Sequence, residues 1–126
     1  MNEGNYKTKL VKMLKKLGFW VYVPADFVHP GVPDVLFLSP IGRFGAIELK
    51  RITKNRPKPA VTMKQREYLR RIAENNGIAI IFVINERDNS APNGFIQSDK
   101  VFNLTVTKDF ITSDKIKQMF IKNFGL

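Results

Sequence analysis

At 126 residues and 14.5 kDa, the chain can bury one hydrophobic core but not two, and its 44% hydrophobic and 25% charged residues exclude disordered and fibrous classes, so a single domain over residues 1–126 is expected. With no cysteine and one histidine, disulfides, thiolate zinc sites and multi-histidine metal clusters are excluded, and any metal must be held mainly by oxygen. A net charge of +10 points to a polyanionic partner such as nucleic acid, and between Arg43 and Arg71 ten basic residues face only two acidic ones.

From Glu3 to Leu17, Tyr6, Leu10, Leu14 and Leu17 recur at helical spacing among lysines, and Gly18 closes the helix. Phe19 to Val23 is aromatic and β-branched, which predicts a strand ending at Pro24; Trp20 and the phenylalanines read as core. A loop runs on to Pro33. Asp34 to Leu38 and Phe44 to Leu49 are apolar strands joined by Ser39-Pro40-Ile41-Gly42, a link of hairpin size, and should pair antiparallel.

Ile52 to Ala60 holds two prolines and no periodicity, predicting a basic loop that stays mobile until a ligand arrives. Thr62-Met63-Lys64-Gln65 fits a capping box, and Met63, Leu69, Ile72 and Ala73 supply the apolar side of a helix to about Asn76, ended by Gly77. Ile78 to Ile84 is a continuous Ile/Val/Phe run, the pattern of a central strand covered on both faces. Asn85 to Gly94 reads as an exposed turn, Phe95 to Val106 as one or two short strands, and Ser113-Asp114 as the cap of a last helix carrying Ile116, Phe120 and Phe124.

The most informative stretch is Gly31-Val32-Pro33-Asp34 followed, fourteen residues after Asp34, by Glu48-Leu49-Lys50. Alternation along a strand points Glu48 and Lys50 one way and Ile47 and Leu49 into the core, and the hairpin partner brings Asp34 alongside. Two carboxylates at a strand end suit a hard divalent ion such as Mg²⁺, with Mn²⁺ able to substitute. Lys50 would then orient a water and stabilise charge developing on a phosphate. A single Glu-x-Lys is usually a surface ion pair; the ordered set of features in one chain is what favours catalysis.

These residues resemble the PD-(D/E)XK phosphodiesterases, and more closely the virus-type replication-repair nuclease (VRR-NUC) branch with its phage and Holliday-junction-resolvase relatives. The resemblance runs from Glu3 to about Val83 and rests on Glu3, Gly18, Gly31 to Asp34, Ile47 to Lys50, Thr62, Gln65 and Gly77. It implies an α/β restriction-endonuclease-like domain with an αβββαβ core, about residues 3–84, a central mixed sheet flanked by helices, and a C-terminal extension over about 95–126. It further implies Asp34 and Glu48 as metal ligands completed by the Leu49 carbonyl, Lys50 as catalytic lysine, and supporting catalytic roles for Glu3 and Gln65. Glu3 has the alternative of a first-turn helix acid, and Gln65 that of a capping residue. The basic segment from Arg51 to Val61 is longer than the linker usual in that branch.

The function expected is a Mg²⁺-dependent DNA endonuclease acting at branched, replication or recombination structures; the alternative is a non-catalytic nucleic-acid-binding module of the same fold. Arg51, Lys54, Arg56, Lys58 and Lys64 are the candidate DNA contacts, and His29 is either a phosphate contact or an exposed loop residue. No apolar run reaches the roughly 18 residues needed to cross a bilayer, so a soluble cytoplasmic protein without a membrane partner is expected, in the host cytoplasm if the chain is of phage origin. Phe95, Val101, Phe102, Phe110, Ile116, Phe120, Ile121 and Phe124 carry more apolar surface than a short appendage needs, which leaves two readings open: a homodimer with this segment at its interface, or a final helix that only packs across its own sheet.

Overall fold

The computed structural model describes residues 3–25, 29–87, 94–98 and 100–125. Its elements follow the order α1 (Glu3–Lys16), β1 (Trp20–Tyr22), β2 (Val35–Leu38), β3 (Phe44–Ile52), α2 (Met63–Glu74), β4 (Ile78–Asn85), β5 (Gly94–Ser98), β6 (Val101–Thr107) and α3 (Asp114–Phe120). A 3₁₀ turn at Lys108–Phe110 leads toward α3, and a wide π turn at Ile121–Gly125 follows it. The expected αβββαβ order is present.

All six strands form one mixed sheet in the order β1-β2-β3-β4-β6-β5. β1, β2 and β3 make an antiparallel meander, β3, β4 and β6 run parallel, and β5 returns antiparallel at the far edge. As its unbroken apolar sequence predicts, β4 is interior: Ile78, Ile80, Phe82 and Ile84 enter the core beneath α1 and α3, while Ala79, Ile81 and Val83 enter the one beneath α2. The larger core holds Tyr6, Leu10 and Leu14 of α1 with Phe37, Ile47 and Leu49 of the sheet and Phe120 of α3. Small side chains at Ala46 and Ala79 let α2 settle closely on the opposite face.

Gly18, at φ +89, ends α1 as expected. At the end of α2 it is Asn76, at φ 67, that takes the left-handed conformation, rather than Gly77. Gly77 serves close approach instead, because a Cβ there would lie 2.6 Å from Ile72 Cγ2. Met63 is 88% exposed at the first position of α2, so its apolar side chain does not belong to the helix's buried side. The turn expected at Asn85 to Gly94 lies largely outside the described residues.

The C-terminal segment is part of the core rather than an extension of it. β6 is an interior strand, and Val101, Ile116, Phe120 and Phe124 are buried within this chain. Phe120 and Phe124 meet edge to face at 5.4 Å between ring centroids, and Phe124 meets Phe102 in the same way at 5.2 Å. Of the apolar residues assigned from sequence to a dimer interface, Val101, Ile116, Phe120 and Phe124 are thus taken up internally, while Phe102 and Ile121 are half-buried and the side chains of Phe95 and Phe110 lie outside the described residues. Phe120→Ala is expected to cost about 3–5 kcal/mol, seen as a lower urea midpoint with one transition for the whole chain. An unchanged midpoint would show α3 to be a dispensable appendage.

Candidate active site at the end of the third strand

The strand-parity expectation for β3 holds. Ile47 and Leu49 pack under α1, whereas Ala46 lies on the α2 side, and Glu48 and Lys50 follow Ala46 at two-residue steps. Glu48 is only 2% exposed and Lys50 is half-buried. The β2–β3 register ends at Val35 opposite Ile47, which leaves Asp34 and Glu48 as the residues just beyond the last paired rung. Asp34 does not continue the strand with its backbone. Its Oδ2 accepts the Leu49 N–H at 2.8 Å, so a side chain extends the pairing beyond β2 and fixes the carboxylate against β3.

Asp34 and Leu49 share a cavity of about 230 Å³ with Gly4 and Lys7 of α1. Glu48 and Lys50, which follow Ala46 on the other face, do not line this cavity, so the start of α1 reaches only the Asp34 side; Glu3 is the helix's first residue, although its side chain lies outside the described residues. On the other side, Gly31, at φ +91, presses against the first turn of α2. A Cβ on Gly31 would lie 2.8 Å from the Lys64 backbone, so only glycine fits, and this contact holds the segment leading to Asp34 beside Lys64 and Gln65.

Gln65 completes the capping box: its N–H donates to Thr62 Oγ1 at 3.2 Å, and its Oε1 accepts the Thr62 N–H at 2.9 Å. The carbonyl end of that side chain is thus occupied in starting α2. His29 is exposed, and its carbonyl accepts the Val32 N–H.

Of the candidate DNA contacts, Lys54, Arg56, Lys58 and Lys64 are exposed, but Arg51 is half-buried and donates to Glu86 Oε2 at 2.8 Å. Arg51 belongs to β3 and Lys64 to α2; the loop that carries Lys54, Arg56 and Lys58 begins as a defined turn rather than an irregular segment, because Thr53 and Arg56 exchange backbone hydrogen bonds at 2.9 and 3.1 Å. Sequence reading missed Glu86, which follows β4, and Tyr6, whose hydroxyl donates to Glu86 Oε1. A lone acid directly after an apolar strand, with a buried tyrosine in the helical stripe, was the available signal.

The Tyr6–Glu86–Arg51 network joins α1 to the ends of β3 and β4 and so supports the cavity wall that α1 provides. Hydrogen bonding from Arg51 holds the Glu86 carboxyl below its usual range, with Tyr6 acting in the same direction. Burial, and then Glu86, push the Tyr6 phenol up to about 12.

Among the described residues no three His, Asp or Glu side chains gather into one cluster. Asp34, Glu48 and the Leu49 carbonyl, the ligands expected from the sequence, are all hard oxygen donors, a chemistry that fits a divalent ion such as Mg²⁺ rather than a soft metal.

No family model matches the chain, and no curated protein matches it. A solved structure described as a VRR_NUC domain is similar in fold, with a TM-score of 0.54 at 18% identity over 97% of this chain and 96% of that one. The fold is therefore that of a VRR_NUC-like α/β domain. Among the described residues, no helix is long and apolar enough to cross a membrane.

A carboxylate with a depressed folded-state pKa contributes stability above the ordinary carboxylate range and loses it as pH falls through the folded value. Glu86→Gln is accordingly expected to cost roughly 1.5–3 kcal/mol near neutral pH, with the difference from the unmodified protein shrinking in acid. Urea midpoints across pH check this; a difference that does not vary with pH would exclude the ionised pair as its source.

Proposed function

We propose that the protein is a metal-dependent nuclease that hydrolyses DNA phosphodiester bonds. The observation that carries this reading is the meeting of Asp34 with β3: its carboxylate accepts the N–H of Leu49, the residue between a buried Glu48 and Lys50. A carboxylate buried at a strand end, with a lysine two residues on and a second carboxylate held to the same strand, is a candidate functional site. The similarity in fold to the VRR_NUC domain and the net charge of +10 support the same reading.

In this mechanism Asp34, Glu48 and the Leu49 carbonyl would hold a hard divalent ion, Mg²⁺ or Mn²⁺. The ion, when bound, supplies Lewis acidity at the scissile phosphate. Lys50 donates a hydrogen bond that orients the attacking water and stabilises negative charge on the phosphoryl oxygens as the P–O bond to the leaving group breaks. Glu3 and Gln65 stand in supporting positions at the two helix starts.

Lys54, Arg56, Lys58 and Lys64 contact phosphates, while Arg51 contributes chiefly by anchoring the loop to Glu86. The six strands of the sheet and its flanking helices leave little of the described chain for a separate sequence-reading subdomain. The exposed basic surface suits backbone and shape recognition, as of branched or replication-associated DNA.

Asp34→Ala, Glu48→Gln and Lys50→Ala should each lower cleavage by at least about 10²-fold, as removal of one electrostatic catalytic group typically does, with binding largely kept. EDTA should have the same effect. A panel of duplex, flap, splayed and four-way-junction DNA gives the readout; full Mg²⁺-dependent cutting by Glu48→Gln would remove Glu48 from the site, and no cutting of any substrate by the unmodified protein would leave a binding module.

The basic loop has its own test. Reversing Arg56 and Lys58 together to glutamate should weaken duplex binding and flatten its salt dependence, by about 0.9 in the slope of log K against log salt for each phosphate that the loop no longer neutralises. An unchanged slope assigns both residues to solvent.

A further inference from the structure

The meander carries an aromatic surface that the sequence assigned to the core. Trp20 is 59% and Tyr22 52% exposed, while Val21 between them points into the main core. Their rings are parallel within 7°, with centroids 6.2 Å apart. The register continues the row across the sheet: Trp20 lies opposite Leu38, which lies opposite Phe44, and Tyr22 lies opposite Leu36, which lies opposite Ala46. Leu38 and Phe44 are likewise exposed. α2 covers Ala46 and the strands beyond it and leaves this end of the face open.

The position of the row gives it a use. Ala46 lies on the α2 side of the sheet, so Trp20, Tyr22 and Phe44 share that face with Glu48 and Lys50. From strand rise and spacing, Tyr22 is on the order of 12 Å and Trp20 on the order of 17 Å from Glu48, two strands across and two and four residues along. A cavity of about 470 Å³ adjoins Phe44 and is bordered by Arg43, Tyr68 and Arg71. The face thus combines flat π surfaces with guanidinium groups along one border.

We infer that Trp20 and Tyr22 form a stacking platform for unpaired bases of single-stranded DNA, with the phosphates of that strand passing beside Arg43 and Arg71. Aromatic rings bind bases of any sequence through their π faces while cations track the backbone. The charge of the surface favours this occupant over a second copy of a chain that itself carries +10. The inference rests on the nuclease reading for its biological setting, and it gives that reading a substrate feature: an unpaired strand flanking the cut.

Trp20 is the sole tryptophan, so its emission reports directly on the platform. Titration of the full chain with oligothymidylate in EDTA should quench that emission to saturation. Tyr22→Ala should weaken oligothymidylate binding about fivefold or more while leaving blunt-duplex binding within about twofold of the unmodified value. Tyr22→Phe should restore binding and Tyr22→Leu, which keeps apolar bulk without a π face, should not. Unchanged emission on adding oligothymidylate overturns the inference, as does equal binding by the Leu and Phe variants. Emission that follows protein concentration alone, with a dimer seen by light scattering, also overturns it by assigning the face to a second copy. Because EDTA prevents cleavage, loss of the platform with cutting intact, or base binding without any cutting, separates failure of this inference from failure of the nuclease reading.

Discussion

β3 must satisfy two demands at once: it pairs on both sides within the sheet, and it holds ionisable groups where the core gives way to the site. Period-two alternation is what reconciles them. Ile47 and Leu49 secure the strand beneath α1, so Glu48 and Lys50 are aimed by packing that neither of them provides. The Asp34 carboxylate then takes the Leu49 N–H, tying the hairpin partner to the same strand. A one-residue slip in the β2–β3 register would turn the apolar residues outward and dismantle the site together with the core.

The two helix starts are brought to this strand by different means. α1 is joined to the ends of β3 and β4 through Tyr6, Glu86 and Arg51, a polar network fixed by opposite charge and burial. α2 is held against the approach to Asp34 by the missing side chain of Gly31, a steric device that places the Lys64 and Gln65 turn nearby. One link depends on ionisation and the other does not, so acid should loosen the α1 side first.

Packing also divides the sheet unevenly. The face beneath α1 and α3 is closed by large side chains, with Phe120 and Phe124 completing it from the C-terminal end. On the other face the short α2 covers the parallel strands and leaves the meander open, with Trp20, Tyr22 and Phe44 exposed on the side that carries Glu48 and Lys50. The same asymmetry that keeps the aromatic row out of the core makes it available beside the site.

Local rules made much of this legible in the sequence. The helical stripe of Tyr6, Leu10 and Leu14, the unbroken run of β4, the capping box of Thr62 and Gln65, and the alternation that aims Glu48 and Lys50 are each written within a few residues. What depended on distant partners was not. Arg51 looked like a DNA contact because Glu86, thirty-five residues away, cannot be paired with it from spacing alone. Trp20 looked like core because hydrophobicity is local, whereas exposure depends on how far α2 reaches across the sheet. That Phe120 and Phe124 are internal could not be read locally either, because the core they complete is assembled from α1 and β4, and only the tertiary structure decides which apolar surfaces are already covered.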